Sequence, residues 1–592
     1  MTSAHSINST PATGGSKGLP RGCNDKEDGA LTIGLGTPRP PASGGMRGRF
    51  GLGTLWRNFR LKVPERLLIA PQEIETGDPT VARDIYAGSY TLAGRTVLTR
   101  GQSPFSVEAP HPAWLRELHS FAWLRHFNES EEPVIRVHAR ALVDDWLLNP
   151  TLAQRPAAQR SDVLAHRMTA FLVNAPLLLT GADHDFYVRF MRALAGQAKA
   201  LERAAERDRD WIARAEAAIA FGLYALCALT PERTLKRAVR LLERSLSMVQ
   251  AGDGGPVDRN PNSALVLLAM LLPLRTAFSA RNNRPPPVLE TTIDGLLRFL
   301  MFLRHPGNDI ALFNGMSASQ LTVIGSLIQF LDSTSESFPV TGMCGYHRLA
   351  VGRSVVLVDA GPCPPSGMTA RFHAGATSFE LSSGHERIVV NCGAAPAGLA
   401  GMREALRETA AHSTLDLEGI SRLSFSDALT ADGEAERRAS ARQRAPAVER
   451  RVEADGDSVD MTDRCYEATH GLVHRRQLTL TAEGSYLSGR DSLIGLSAGG
   501  GVRATARLRF HLHPQVRAFL SGDGRAVEIQ LASGESWTFS AGGRSLALED
   551  SIFFGGLASQ RRCQQITVAL DGNEPEVVWS FARRSGGRLV MS

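Results

Sequence analysis

The 592-residue chain is narrowed first by what it lacks. Its seven cysteines (Cys23, Cys227, Cys344, Cys363, Cys392, Cys465 and Cys563) are scattered and odd in number, and no Cys-x-x-Cys pair occurs. That spacing argues against a zinc ribbon or a thioredoxin-like motif and predicts free, mostly buried thiols. There is no run of about 18 apolar residues, so no transmembrane helix is expected. The first ~50 residues hold no apolar core of the signal-peptide kind. No Lys/Arg block with interleaved aromatics is present, which speaks against nucleic acid as partner. The net charge of +6 is mild for this length and compatible with an anionic polymer as ligand.

What is present divides in two. The chain is too long for one core. Residues 1–50 are rich in Gly, Ser, Thr and Pro and are expected to be a disordered leader. Residues 51–100 read as a linking segment. It holds a basic amphipathic piece from Trp56 to Val63, expected to dock, and a small β element from Ile85 to Leu98. Residues 101–335 carry helical patterns in succession: Val163 to Leu179, Phe186 to Ala205, then stripes at Ile212/Ala215/Ile219/Leu223/Leu226, Leu235/Val239/Leu242/Leu246, Leu289/Ile293/Leu296/Leu300 and Leu321/Ile324/Leu327/Leu331. Consecutive helices on short loops pack as bundles or as rings of helical hairpins.

Residues 345–592 alternate instead. Val355 to Asp359 reads as a buried strand, and strands recur around Leu478, Arg507 to His513, Val527, Trp537, Ile566 and Val577, separated by Gly-containing turns. A charged insertion, Glu434 to Arg451, is expected to be exposed. The clearest element is a hairpin within Arg371 to Gly393. Phe379 and Leu381 alternate with Ser378, Glu380 and Ser382; Ser383-Gly384 supplies the turn; Ile388, Val390 and Cys392 follow. One face is apolar and one polar. With His373 just ahead of it, the polar face predicts an active-site wall.

Several stretches carry a resemblance. They are Asp253-Gly254-Gly255 with Arg259-Asn260-Pro261, Ala311-Leu312-Phe313-Asn314-Gly315, Val358-Asp359-Ala360-Gly361-Pro362, the hairpin, Ala411-His412-Ser413-Thr414-Leu415, His474-Arg475-Arg476 and Phe510-His511-Leu512-His513-Pro514. In this order, over roughly residues 100 to 585, the chain resembles the heparinase II/III-like family, in particular its alphaproteobacterial members. The resemblance implies an α+β multidomain fold, an N-terminal (α/α) toroid followed by a large antiparallel β-sandwich with the cleft between them. It also implies polysaccharide lyase activity on uronate polymers.

Lyase chemistry needs a group to neutralise the uronate carboxylate, a base for the C5 proton and an acid for the leaving oxygen. By the resemblance, His373, His412 and Tyr466 are the catalytic candidates. Asp253, Arg259, Asn260, Asn314, Glu380, His474 and Arg509 are the substrate-binding candidates. Arg507, Arg509, His511 and His513 form a basic row on one strand face that would line the cleft. In relatives with zinc the counterpart of His412 is a ligand, but Gly375 stands where the family pattern has aspartate. A zinc site needs three or four suitable ligands, so no metal or other cofactor is expected. The chain also departs from the family at Asn260-Pro261-Asn262-Ser263, where a catalytic tyrosine is absent, and around Ala215-Glu216-Ala217, where no asparagine pair occurs.

The expected function is lyase-type cleavage of an acidic polysaccharide or oligosaccharide by β-elimination. The alternatives are a non-catalytic envelope-polysaccharide binding protein and a glycoside hydrolase, which would pair Asp253 with Glu380. The family points to the periplasm or cell envelope; the missing signal peptide points to the cytoplasm.

Overall fold

The computed structural model describes residues 62–589 apart from 73, 318–341, 365–367, 369–370, 418, 424–444, 482, 496–504, 556–559, 571–573 and 586–587. The expected leader, most of the Trp56–Val63 piece, the Leu321–Leu331 stripe and most of the charged insertion lie outside the described residues. From residue 61 on, the chain forms one compact unit.

The first half is helical, as its periodicity predicts. The helices that matter for the site are α1 (Pro112–Ser120), α2 (Ser161–Val173), α3 (Trp211–Cys227) and α4 (Pro261–Ala280). Side chains satisfy their orphan N–H groups: Asp210 accepts from Ile212 at 3.1 Å and Asn260 from Asn262 at 2.9 Å. The expected single helix from Val163 to Leu179 is two. It breaks at Asn174, whose side chain bonds back to the Ala170 carbonyl at 2.9 Å, just before Pro176. The expected β element of 85–98 is a hairpin, Ser89–Leu92 with Arg95–Leu98, preceded by the helix Pro79–Tyr86. Helix α4 is long and apolar enough to cross a membrane by length and composition, but most of it is packed in the helical core.

The second half is two antiparallel sheets. Among the described residues one is nine-stranded and runs from Arg517–Leu520 through Glu576–Ser585, Tyr486–Gly495 and Leu472–Thr481 to Ala447–Glu453. The other is eight-stranded and runs from Leu546–Phe553 through Ala506–Leu512 and the hairpin to Tyr346–Val351. The sheets share one core. Phe379 of the second stacks on Trp579 of the first at 5.6 Å between ring centres, and Phe510 meets both Trp579 and Phe539. Gly489 lies opposite Trp579, and a Cβ there would stand 2.1 Å from the indole. This is why the strand carries glycine at a position where it otherwise weakens pairing.

The hairpin forms where expected, Phe379–Ser383 paired with Glu386–Val390, with Gly384 at φ +55° in the turn. Its polar face corrects the expectation of an open wall, because every residue from Phe379 to Ser383 is buried. Glu380 accepts from the Leu312 N–H (2.9 Å), the Asn391 N–H (3.0 Å) and His305 Nε2 (3.0 Å), and His305 Nδ1 faces Ser382 Oγ at 2.9 Å. The turn docks too, with His385 Nδ1 3.0 Å from the Pro306 carbonyl. The polar face of the hairpin joins the sheet to the helical half.

Candidate functional site

His373 and His412 come together. Both are buried, with ring centres 5.5 Å apart and ring planes almost perpendicular. His412 ends the short turn Thr409–Ala411, and its Nδ1 donates to the Glu408 carbonyl at 2.8 Å. That bond fixes the tautomer and leaves Nε2 with its lone pair. Burial pushes His412 down to about 4. Burial, then His412, Arg407 and Arg403, hold His373 well below the ordinary range. Burial thus favours the uncharged form of both rings.

Helix α5 (Ala400–Arg407) runs beside His373, and Arg407 and Arg403 act on its ring. Arg407 donates from Nε to the Phe372 carbonyl (3.0 Å), and the Ala374 N–H donates to the Arg407 carbonyl (2.8 Å), so the helix lies along the His373 segment. Arg403 stands one turn earlier on the same face. Burial, then the charges of Arg407 and Arg371, lower its pKa. Sequence reasoning misses this group. The i, i+4 arginine spacing of α5 is legible; its placement over His373 is not.

The loops behind the pair are held tightly. Thr377 sits at φ +67°, a strained conformation for a β-branched residue. Its N–H donates to the Asp359 carbonyl (2.7 Å), and its hydroxyl pairs with that of Thr414 (2.7 Å). Arg476 donates from one nitrogen to the Thr377 carbonyl (2.8 Å) and the Ser413 carbonyl (2.9 Å), tying both histidine segments to the sandwich.

Most of the substrate-binding candidates are placed inside the fold. Arg259, at φ +58°, bonds to the carbonyls of Cys344 (2.6 Å) and Pro362 (2.9 Å) and to the Asp359 carboxylate. Asn314 donates to the other Asp359 oxygen at 3.1 Å. A Cβ on Gly361 would stand 2.2 Å from the Arg259 guanidinium. The Asp359-Ala360-Gly361-Pro362 and Arg259-Asn260 motifs are therefore two halves of a latch between helices and sheet. Asn260 caps α4, and Asp253 accepts from Cys344 Sγ at 3.2 Å. Glu380 is buried and bonded as above. Burial works to raise its carboxyl, but His305, Arg387 and the Asn391 N–H outweigh this and hold it low. The Asp253–Glu380 hydrolase pairing thus loses one partner to the interlayer contact.

His474 is buried against Asp491 at 2.7 Å, and Arg509 is paired with Asp416 at 2.9 Å. The basic row is open only at Arg507 and closes toward His511 and His513. Arg507 pairs with Glu549 at 3.5 Å. His511 is enclosed between Ser551 Oγ (2.8 Å) and the Ala410 carbonyl (3.1 Å), and burial pushes it to about 3. Alternation places these side chains on one face; other parts of the second half cover that face at His511 and His513 and leave Arg507 exposed.

Tyr466 is also buried, and its ring meets His470, not the histidine pair. Its hydroxyl has no hydrogen-bond partner among the described residues, nor do Arg422 Nη1 and Asp416 Oδ1, whose charges both act on it. Burial holds its pKa far above the ordinary phenol range, so it remains a proton donor.

The donor set at His373 and His412 does not fit zinc. Gly375 supplies no carboxylate, and among the described residues no group of three His, Cys, Asp or Glu is arranged around a common point. A Cβ at Gly375 would lie 2.6 Å from His412 Cδ2. Gly375→Asp is therefore expected to displace the His412 ring without creating a metal site, at a cost of about 1–3 kcal/mol from overpacking. Denaturant unfolding with and without zinc checks this; zinc-dependent stabilisation would contradict it.

Residues 334–580 match the family model described as Heparinase II/III-like, C-terminal. FtsZ-localized protein C of Caulobacter vibrioides is 28% identical over 547 residues, covering 88% of this chain and 90% of that protein. Among solved structures, Heparinase III superposes with a TM-score of 0.67 at 12% identity, covering 90% of this chain and 89% of that one. Heparan sulfate lyase HepC from Pedobacter heparinus superposes with a TM-score of 0.53 at 14% identity, covering 86% and 83%. At such identities the superpositions show a shared fold alone, a helical N-terminal region joined to a large β-sheet domain.

Proposed function

We propose that this chain, whose residues 334–580 match the heparinase II/III-like C-terminal family model, takes an acidic, uronate-containing polysaccharide at the His373–His412 pair and cleaves it by β-elimination. The observation that carries this reading is the pairing of two buried histidines, with Arg407 and Arg403 of α5 acting on His373. The arginines would neutralise the uronate carboxylate, which acidifies the C5 proton. His412 Nε2 would take that proton. The C–H electron pair becomes the C4–C5 double bond as the C4–O4 bond breaks, and the imidazolium returns its proton to O4. A bound carboxylate raises the basicity of both rings, because it sets a negative charge beside them.

The second reading is a binding protein without turnover. It is favoured by Gly375 and by the absence of a tyrosine at 260–263, and it fits a role beside FtsZ of the kind the Caulobacter relative's name describes. Incubating the purified protein with alginate, hyaluronan, polygalacturonate and heparan sulfate, and following the ultraviolet absorbance of unsaturated uronate, separates the two. Absorbance that rises with the wild type and not with His412→Ala supports the lyase. Binding without absorbance on any polymer supports the second reading.

A further inference from the structure

The helical half carries a groove that the histidine site does not use. It lies between the helix Glu232–Leu246 and the end of α4, is open to solvent and measures about 510 Å³. Clefts of about 300–1,000 Å³ are the ordinary size for holding a ligand. Buried Phe278 and half-buried Leu235 and Val239 form its apolar floor, and exposed Lys236, Arg240 and Arg284 form its rim. Positions 232, 235, 236, 239 and 240 share one helix face, because they recur at i, i+3, i+4, i+7 and i+8. Further along, Leu242 and Leu274 of α4 are both seated on α3, where a Cβ on Gly222 would stand 3.0 Å and 3.4 Å from them. The facing wall is stiff. The Asn283 N–H donates to the Phe278 carbonyl (3.0 Å) to close α4, and Pro285, Pro286 and Pro287 follow Arg284 directly. Lys236 and Arg240 stand one turn apart on one helix, and Arg284 lines the same groove from the other wall. Glu232 is the one carboxylate among the lining residues, and it is ion-paired with Lys236 at 2.8 Å. Glu290, on the next helix, is paired with Arg275 at 3.8 Å. Arg240 and Arg284 have no hydrogen-bond or ion-pair partner among the described residues.

We propose that this groove docks an acidic peptide segment of a partner protein, one that interleaves carboxylates with aliphatic or aromatic side chains. Charge complementarity selects that occupant. Two guanidiniums without counter-ions flank an aliphatic floor, so the matching surface has an apolar side chain at its centre and carboxylates at its edge. A carbohydrate would set hydroxyls against Leu235 and Val239, which offer them no hydrogen bond. A bilayer surface is flat at this scale and would meet the rim without entering the groove. None of the lining residues belongs to the histidine site, so docking and cleavage can be lost separately.

The test is fluorescence polarisation of the full-length protein with a fluorescein-labelled peptide, Glu-Leu-Glu-Asp-Phe-Leu-Glu-Asp-Leu. Saturable binding below about 1 mM is expected. Arg240→Glu and Arg284→Glu should each weaken it about threefold to tenfold, because exposed charges contribute modestly one at a time. Replacing the leucines and the phenylalanine of the peptide by serine should weaken it at least about tenfold. Arg233→Glu makes the same charge change on the same helix outside the groove and should alter affinity by less than about twofold. All three arginines are exposed, so the melting temperature should not fall. Absence of saturable binding, equal binding of the serine peptide, or an equal loss with Arg233→Glu overturns the proposal. Sedimentation with phosphatidylglycerol vesicles that Arg240→Glu abolishes, while peptide binding is untouched, also overturns it and assigns the groove to lipid.

Discussion

Asp491→Asn is expected to destabilise the protein by about 3–5 kcal/mol, the range for breaking a buried ion pair from one side. One carboxylate receives four donors: His474 Nε2 (2.7 Å), Arg476 Nε (2.7 Å) and a second Arg476 nitrogen (3.2 Å), and Trp579 Nε1 (2.7 Å). Burial alone would raise the Asp491 carboxyl, but Arg476 and His474 hold it far below the ordinary range. The asparagine keeps the shape and removes the charge, so a fully buried guanidinium is left without its counter-ion. The damage reaches the site, because the same Arg476 ties down the Thr377 and Ser413 carbonyls. Urea unfolding should show a lower midpoint at unchanged slope. A midpoint within experimental error of the wild type would show that the network is not holding the sandwich. The sign with pH is definite. A carboxyl depressed in the folded state contributes stability above its unfolded value, and that contribution is lost on acidification.

His412→Ala is expected to lower the rate on a cleavable uronate polymer by about 10²–10⁴, the usual range for a general base. It should do so while the far-ultraviolet spectrum and the interlayer latch remain intact, since His412 bonds only locally to Glu408. His373→Ala should fall in the same range, as the neighbour that shares the pocket. A variant retaining full activity removes that residue from the mechanism. A second readout concerns stability. His412 lies at about 4 when folded, below the ordinary histidine value of 6.5, so the unfolded chain binds more protons between these limits. Stability therefore falls as pH drops from about 6.5 toward 4, by up to about 3 kcal/mol for this residue. His412→Gln should flatten that part of the profile. Asp258 acts in the opposite sense, because burial raises it to about 6 and its contribution is lost as pH rises through that value.

The hairpin shows how far pattern can be read. Alternation at Phe379–Ser383 predicts a strand with one apolar and one polar face, and the strand is there. The inference from a polar face to an open wall fails. Glu380 and Ser382 meet His305, which lies 75 residues from Glu380 in sequence. Arg259 and Asp359 are paired across 100 residues. The motifs that carry the family resemblance are largely these interlayer contacts, so they identify the fold more readily than the site.

By itself, the sequence determined the division into a helical and a β half, most strand and helix positions, the family resemblance and the nomination of His373 and His412. Each follows from local rules, because side-chain periodicity and turn chemistry act within a few residues. Only the tertiary structure decided which polar residues face a ligand and which face each other. Periodicity assigns a side chain to one side of an element; what covers that side depends on distant chain. The same limit hid Arg403 and Arg407, which are ordinary arginines in sequence until α5 lies along the His373 segment.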